Sequence, residues 1–171
     1  MPTPTIIATS LSATHSFSKS PQLYIRLEAG IGVQGDAHAG PTTQHIYIRK
    51  KDPTRRNLTQ VHLIHAELLD ALSLEPGQMG ENLTTRHLDL HSLPVGTRLD
   101  IGTTTLEITG YRTPCSQING LRPGLMNAVF TPSKQPNAGI MAIVLTSGDI
   151  HPGDPIHITL PPLPHRPLGP V

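Results

Sequence analysis

Tryptophan is absent from this 171-residue chain, aromatics make up 3% of it, and cysteine occurs once. A single cysteine excludes an intramolecular disulfide and fits a reducing compartment. No apolar run approaches the ~20 residues that a membrane-spanning helix needs. The opening residues, Met1 to Ile6, lack a basic region followed by an apolar one, so no signal peptide is expected. A soluble, cytoplasmic setting follows as the expectation. An excess of one charge is lacking as well: 13 Lys and Arg against 12 Asp and Glu leave +1. That balance gives no electrostatic case for nucleic acid or an anionic membrane as partner. What the chain has in quantity is proline (18) and glycine (15), punctuating short apolar runs. The pattern predicts many short strands and tight turns, a mainly β fold with a few short helices. The length suits one domain over residues 1–171, burying roughly 70% of the unfolded chain's surface.

Alternation of apolar and polar residues predicts strands over 6–12, 24–28 and 156–160, and 44–48 reads as another. Leu99 to Ile101 and Thr105 to Thr109 flank Gly102 as a hairpin, and Ile140 to Leu145 is a continuous apolar run suited to a buried strand. Ile64, Leu68 and Leu72 recur at helical spacing, so 65–72 reads as the best helix. A short second helix opens near Pro123. Gly30 to Gly35 matches the G-x-G-x-x-G dinucleotide fingerprint after a strand, but Gly40 and Pro41 oppose the helix that fingerprint requires. These glycines therefore read as shaping a sharp turn. Residues 161–171, with their many prolines, read as an extended tail.

The stretch from Glu107 to Asn119 concentrates the chemistry. Cys115 follows a strand-like run and Arg112, Thr113 and Pro114. Proline stiffens the approach, and the guanidinium three positions earlier is a permanent cation able to favour thiolate. The same cysteine also suits a small buried hydrophobe. Asp36 and His38 stand two apart on a glycine-framed loop, where they either orient a polar ligand or cap a turn. The basic run Arg49 to Arg56 is either a solvated loop or a contact for an anion such as phosphate. Ten histidines invite a metal, yet no second cysteine completes a thiolate zinc site.

Four segments in order, 32–40, 60–64, 76–85 and 93–117, closed by 139–144 and Gly153-Asp154, resemble the MOSC domain family. The likeness is to the short stand-alone branch that includes bacterial N-hydroxylaminopurine reductases, and the ending Pro164-His165-Arg166-Pro167 is similar too. The resemblance implies a distorted β-barrel with a few short helices, and binding of the molybdenum cofactor, Mo-molybdopterin. It implies Cys115 as molybdenum ligand or sulfur carrier. Arg112, Thr113, Arg56 and Asn82-Leu83-Thr84 are then candidates to hold the cofactor, and Asp36, His38 and His62 to bind substrate or deliver protons. Where the family pattern often carries arginine, this chain has Thr59, which shifts the phosphate role to Arg55 or Arg56.

Three functions compete on this reading. The leading one is a reductase of N-hydroxylated compounds, with a small substrate, a separate electron-donor protein and room for a homodimer. The second is a non-catalytic carrier of cofactor or of a persulfide on Cys115. The third is a cofactor-free enzyme using Cys115 with His38 or His62 as base and Asp36 or Asn82 as orienter.

Overall fold

The computed structural model describes residues 1–171. Eleven strands and three short helices follow in chain order. They are β1 (Thr5–Leu11), β2 (Ser20–Gln22), β3 (Ile25–Glu28), β4 (Gly32–Val33), α1 (Ile46–Lys51), β5 (Val61–His65) and α2 (Ala66–Leu72). Then come β6 (Leu83–Arg86), β7 (Arg98–Ile101), β8 (Thr104–Tyr111), α3 (Leu125–Ala128), β9 (Ile140–Thr146), β10 (Gly148–Ile150) and β11 (Ile156–Thr159). Eight strands make one sheet in the order β11-β7-β8-β9-β5-β6-β1-β2, and β10-β3-β4 make a second. All pairs are antiparallel except β5 with β6, which run parallel across the α2 crossover.

The large sheet curls without closing into a barrel. Its ends approach through a bridge between Thr5 and Pro155, and Ile6 exchanges backbone hydrogen bonds with Gly153 and Asp154. Side-chain alternation explains why the sheet is buried on both faces. Along β5, Leu63 enters a cluster of 18 buried apolar residues and Ile64 a cluster of 8 on the other face. The first cluster includes Ile6, Leu83, Leu106 and Val144. The second packs Leu68 and Leu69 of α2 against Ile118, Leu125 and Val129.

Helix α1 corrects the strand read at 44–48. None of its residues is buried, so the alternation of Ile46, Tyr47 and Ile48 has no core to face and no strand to pair with. Arg49, Lys50 and Lys51 occupy its last turn, where cations favour the helix dipole. Residues 148–150 form strand β10, paired with β3. Gly30, Gly32 and Gly35 all take left-handed φ values of 75°, 123° and 83°, and a turn, not a helix, follows them. The tail is docked rather than loose: Val95 N–H donates to the Arg166 carbonyl and Tyr111 N–H to that of Gly169.

Candidate functional site

Strand β8 runs out of the sheet at Tyr111 and delivers Arg112, Thr113 and Cys115 to the rim of a cleft of about 330 Å³. Cys115 is half-buried, and its thiol donates only to Gln117 Oε1, at 3.8 Å. Residues 42–56 form a flap over one side. A bridge between Thr42 and Arg56 closes its base, and the residues that follow Thr43, namely Gln44, His45, Ile46 and Tyr47, line the cleft. His15, His38, Met141 and Val171 contribute to the other walls. Two smaller recesses share these walls. One, about 50 Å³, is lined by Thr43, Arg55 and Arg56; the other, about 60 Å³, by Phe17, Lys19, His62 and Asn82. Thr59 borders all three spaces and so lies at their junction.

Asp36 sits at the centre of a buried polar knot. Its side chain is 0% exposed and pairs with the 3% exposed side chain of Lys19, Nζ to Oδ2 at 2.8 Å. Oδ1 accepts from Ser12 N–H and Oδ2 also from His38 N–H. Burial alone would raise this carboxyl's pKa; the His38 and Lys19 contacts and the Ser12 amide outweigh it and hold the carboxyl well below the usual carboxylate range. Burial lowers the Lys19 pKa, while the Asp36 charge pulls it back up. The imidazole of His38 touches Lys19 Nζ at 3.3 Å through Nδ1, and its ring lies edge-on to that of His15. With its side chain 41% exposed, His38 is the member of the knot that reaches the cleft.

Arg112 donates to the Met79 carbonyl and lies over the Phe17 ring, 5.2 Å from its centroid. Burial weighs against its charge, and the neighbouring Cys115 and Glu81 support it. The guanidinium is thus a fixed cation on the wall beside the thiol.

The remaining candidates are placed differently. His62 is buried, and its Nε2 bonds the Ala138 carbonyl at 2.9 Å, which makes that nitrogen the donor. Burial and the Arg112 cation push its pKa well down, so the ring is neutral on the floor of the inner recess. Asn82 reaches the same recess but spends its amide on the Ser10 carbonyl and the His62 N–H. Leu83 is core, and the buried Thr84 hydroxyl bonds Glu81, so neither is presented to the cleft as a cofactor ligand. Arg56 is exposed on the flap, in the side recess. No hydrogen bond joins Cys115 to an imidazole. No three His, Cys, Asp or Glu side chains converge as a metal cage.

Lys19 is the site residue that sequence reasoning missed. It stands between two serines with no local pattern, and only the buried acid at Asp36 implies a cation nearby. Asn57 was passed over in the same way: its buried amide ties the carbonyls of His38 and Gly40 to the base of the flap.

The fold and site define a curled, open β-sheet protein with a thiol and fixed cations around one cleft. The MOSC domain pattern matches residues 37–157, and the chain belongs to this family, which is known for binding the molybdenum cofactor. Among curated proteins none matches the sequence. Among solved structures the fold is similar to YuaD from Bacillus subtilis, with a TM-score of 0.74 and 23% identity over 92% of this chain and 96% of that one. It is also similar to YiiM from Geobacillus stearothermophilus (TM-score 0.69, 16% identity, 96% and 79% covered) and YiiM from Escherichia coli (0.62, 14%, 92% and 71%).

Proposed function

We propose that the cleft binds the molybdenum cofactor through Cys115 and that the protein reduces small N-hydroxylated compounds. The observation that carries this reading is the half-exposed Cys115 thiol facing the cleft beside the fixed Arg112 cation. The donor set suits the group. A thiolate is a soft ligand for a metal already held by sulfur, and the Arg55 and Arg56 recess opens beside the same cleft with guanidinium donors for a phosphate. Thr113 offers a hydroxyl on the rim. When bound, the cofactor supplies the two-electron redox chemistry.

The chain's own residues do the rest. Cys115 anchors, Arg112 balances negative charge beside the thiol, and the flap carrying Gln44, His45 and Tyr47 shields the mouth from water. His38, backed by Asp36 and Lys19, presents the imidazole that can donate to the oxygen a substrate loses as water. The electrons come from a separate donor protein, since the sequence holds no flavin or iron–sulfur motif.

Expression in a host that makes the cofactor, followed by molybdenum and pterin analysis per chain, tests the reading. Cys115→Ser should fold with stability within about 0.5 kcal/mol of the parent, because Ser is nearly isosteric and the site is partly exposed. It should lose its molybdenum and all reduction of a hydroxylaminopurine with an artificial electron donor. Stoichiometric molybdenum in Cys115→Ser would refute the ligand role. Molybdenum without turnover in the parent would leave a carrier, and a stable persulfide on Cys115 would mark it as a sulfur carrier.

A further inference from the structure

The hydrogen-bonding capacity around Asp36 decides a feature of the cleft that no distance to Cys115 reveals. Each carboxylate oxygen has two acceptor sites in the plane of the group. Asp36 Oδ2 fills both, with Lys19 Nζ at 2.8 Å and His38 N–H at 3.1 Å, and Oδ1 takes Ser12 N–H at 3.0 Å. The His38 Nδ1 lies 3.4 Å from Oδ2, an oxygen that already holds these two shorter donors. It lies 3.3 Å from Lys19 Nζ. An ammonium has three donors and no acceptor, so a hydrogen bond between the two runs from Lys19 to Nδ1.

We propose that Lys19 is a positioning residue that fixes His38 as the Nε2–H tautomer and so makes the cleft-facing edge of His38 a hydrogen-bond donor. The second fixed point is Asn57, whose amide donates to the His38 carbonyl at 2.8 Å and holds the loop on which the ring stands. Other groups near the ring leave this assignment intact. His15 meets it edge-on, 5.7 Å between centroids, and Arg112 is held away by Phe17 and the Met79 carbonyl. The consequence is one of ligand class: the atom that meets His38 is an acceptor, such as the oxygen of a hydroxylamine, an N-oxide or a phosphate. The choice of the hydroxylamine oxygen rests on the function proposed above; the tautomer does not.

The test is ¹⁵N NMR of the histidine rings at neutral pH, on the full chain prepared without molybdenum. His38 is expected to show an unprotonated Nδ1 and a protonated Nε2. A protonated Nδ1 in the wild-type protein overturns the proposal, and needs no variant to do so. Lys19→Arg keeps a cationic donor and should keep the tautomer. Lys19→Met combined with Asp36→Asn, which leaves no lone buried charge, should lose the single-tautomer signature while circular dichroism stays that of the parent. Retention of the same tautomer in that double variant also overturns the role of Lys19. A correct tautomer in a protein that never takes up molybdenum would sink the reductase reading and leave this inference standing.

Discussion

Glu81 is fully buried, with Oε1 accepting from Gly77 N–H and the Thr84 hydroxyl, while Oε2 has no partner. Burial raises its pKa, against the opposing pull of the Gly77 hydrogen bond. The unfolded value is about 4.3, so the folded value lies above it. A group shifted this way contributes stability below its unfolded pKa, and the contribution is lost as pH rises through the folded one. Glu81→Gln keeps an acceptor toward Gly77 and cannot ionise. Its urea midpoint relative to the parent should therefore climb as pH rises through the range above the unfolded value of about 4.3. A gap that stays constant across that range would show that Glu81 carries no burial penalty. Lys19 makes a companion case. Removing one partner of a buried ion pair costs about 3–5 kcal/mol, so Lys19→Met alone should be strongly destabilised in the same titration, and a midpoint near the parent's would mean that Asp36 is not buried as a charge. Neither residue is conspicuous in the sequence, because burial, not residue type, makes these groups unusual.

Strand β8 shows how elements build the cleft. Its inward positions Thr104, Leu106, Ile108 and Gly110 alternate with half-buried ones, as period two requires. At Gly110 the missing side chain matters. A Cβ there would lie 2.5 Å from the Gly169 carbonyl oxygen and 2.7 Å from a Val171 methyl. The strand thus leaves a slot for the tail, whose Val171 lines the cleft. Gly110→Ala should lift the tail, and the Tyr111 amide, bonded to the Gly169 carbonyl, should exchange its hydrogen at least about tenfold faster, ~1.4 kcal/mol of easier opening. Unchanged exchange at Tyr111 would show that the tail is not held by that contact. Among the segments read correctly from the sequence, β3, the β7–β8 hairpin and α2 have a periodic face that meets a core, and β9 is a continuous apolar run buried within it. The segment misread, 44–48, has the period and no core, so local pattern had nothing to act on.

At the scale of the molecule, the central strand β5 couples the two cores and the site. Leu63, 0% exposed, faces Leu83 on one side and Ile140 on the other, and His62 beside it floors the inner recess. Leu63→Ala should cost about 2–5 kcal/mol and lower the unfolding midpoint seen by both circular dichroism and the histidine NMR signals. Separate midpoints for the two probes would mean that cleft and core unfold independently. The sequence by itself determined the β-rich class, most strands and the family likeness, and it marked Cys115, Arg112, Asp36 and His38 as candidates. Those follow from periodicity, turn residues and ordered motifs, all of which are local. Only the tertiary structure decided that Lys19 neutralises Asp36, that Leu83 and Thr84 turn inward, that the sheet stays open and that the tail walls the cleft. Each of these depends on which groups, far apart in the chain, lose water together, and a buried charge selects its partner by proximity in space rather than by spacing in sequence.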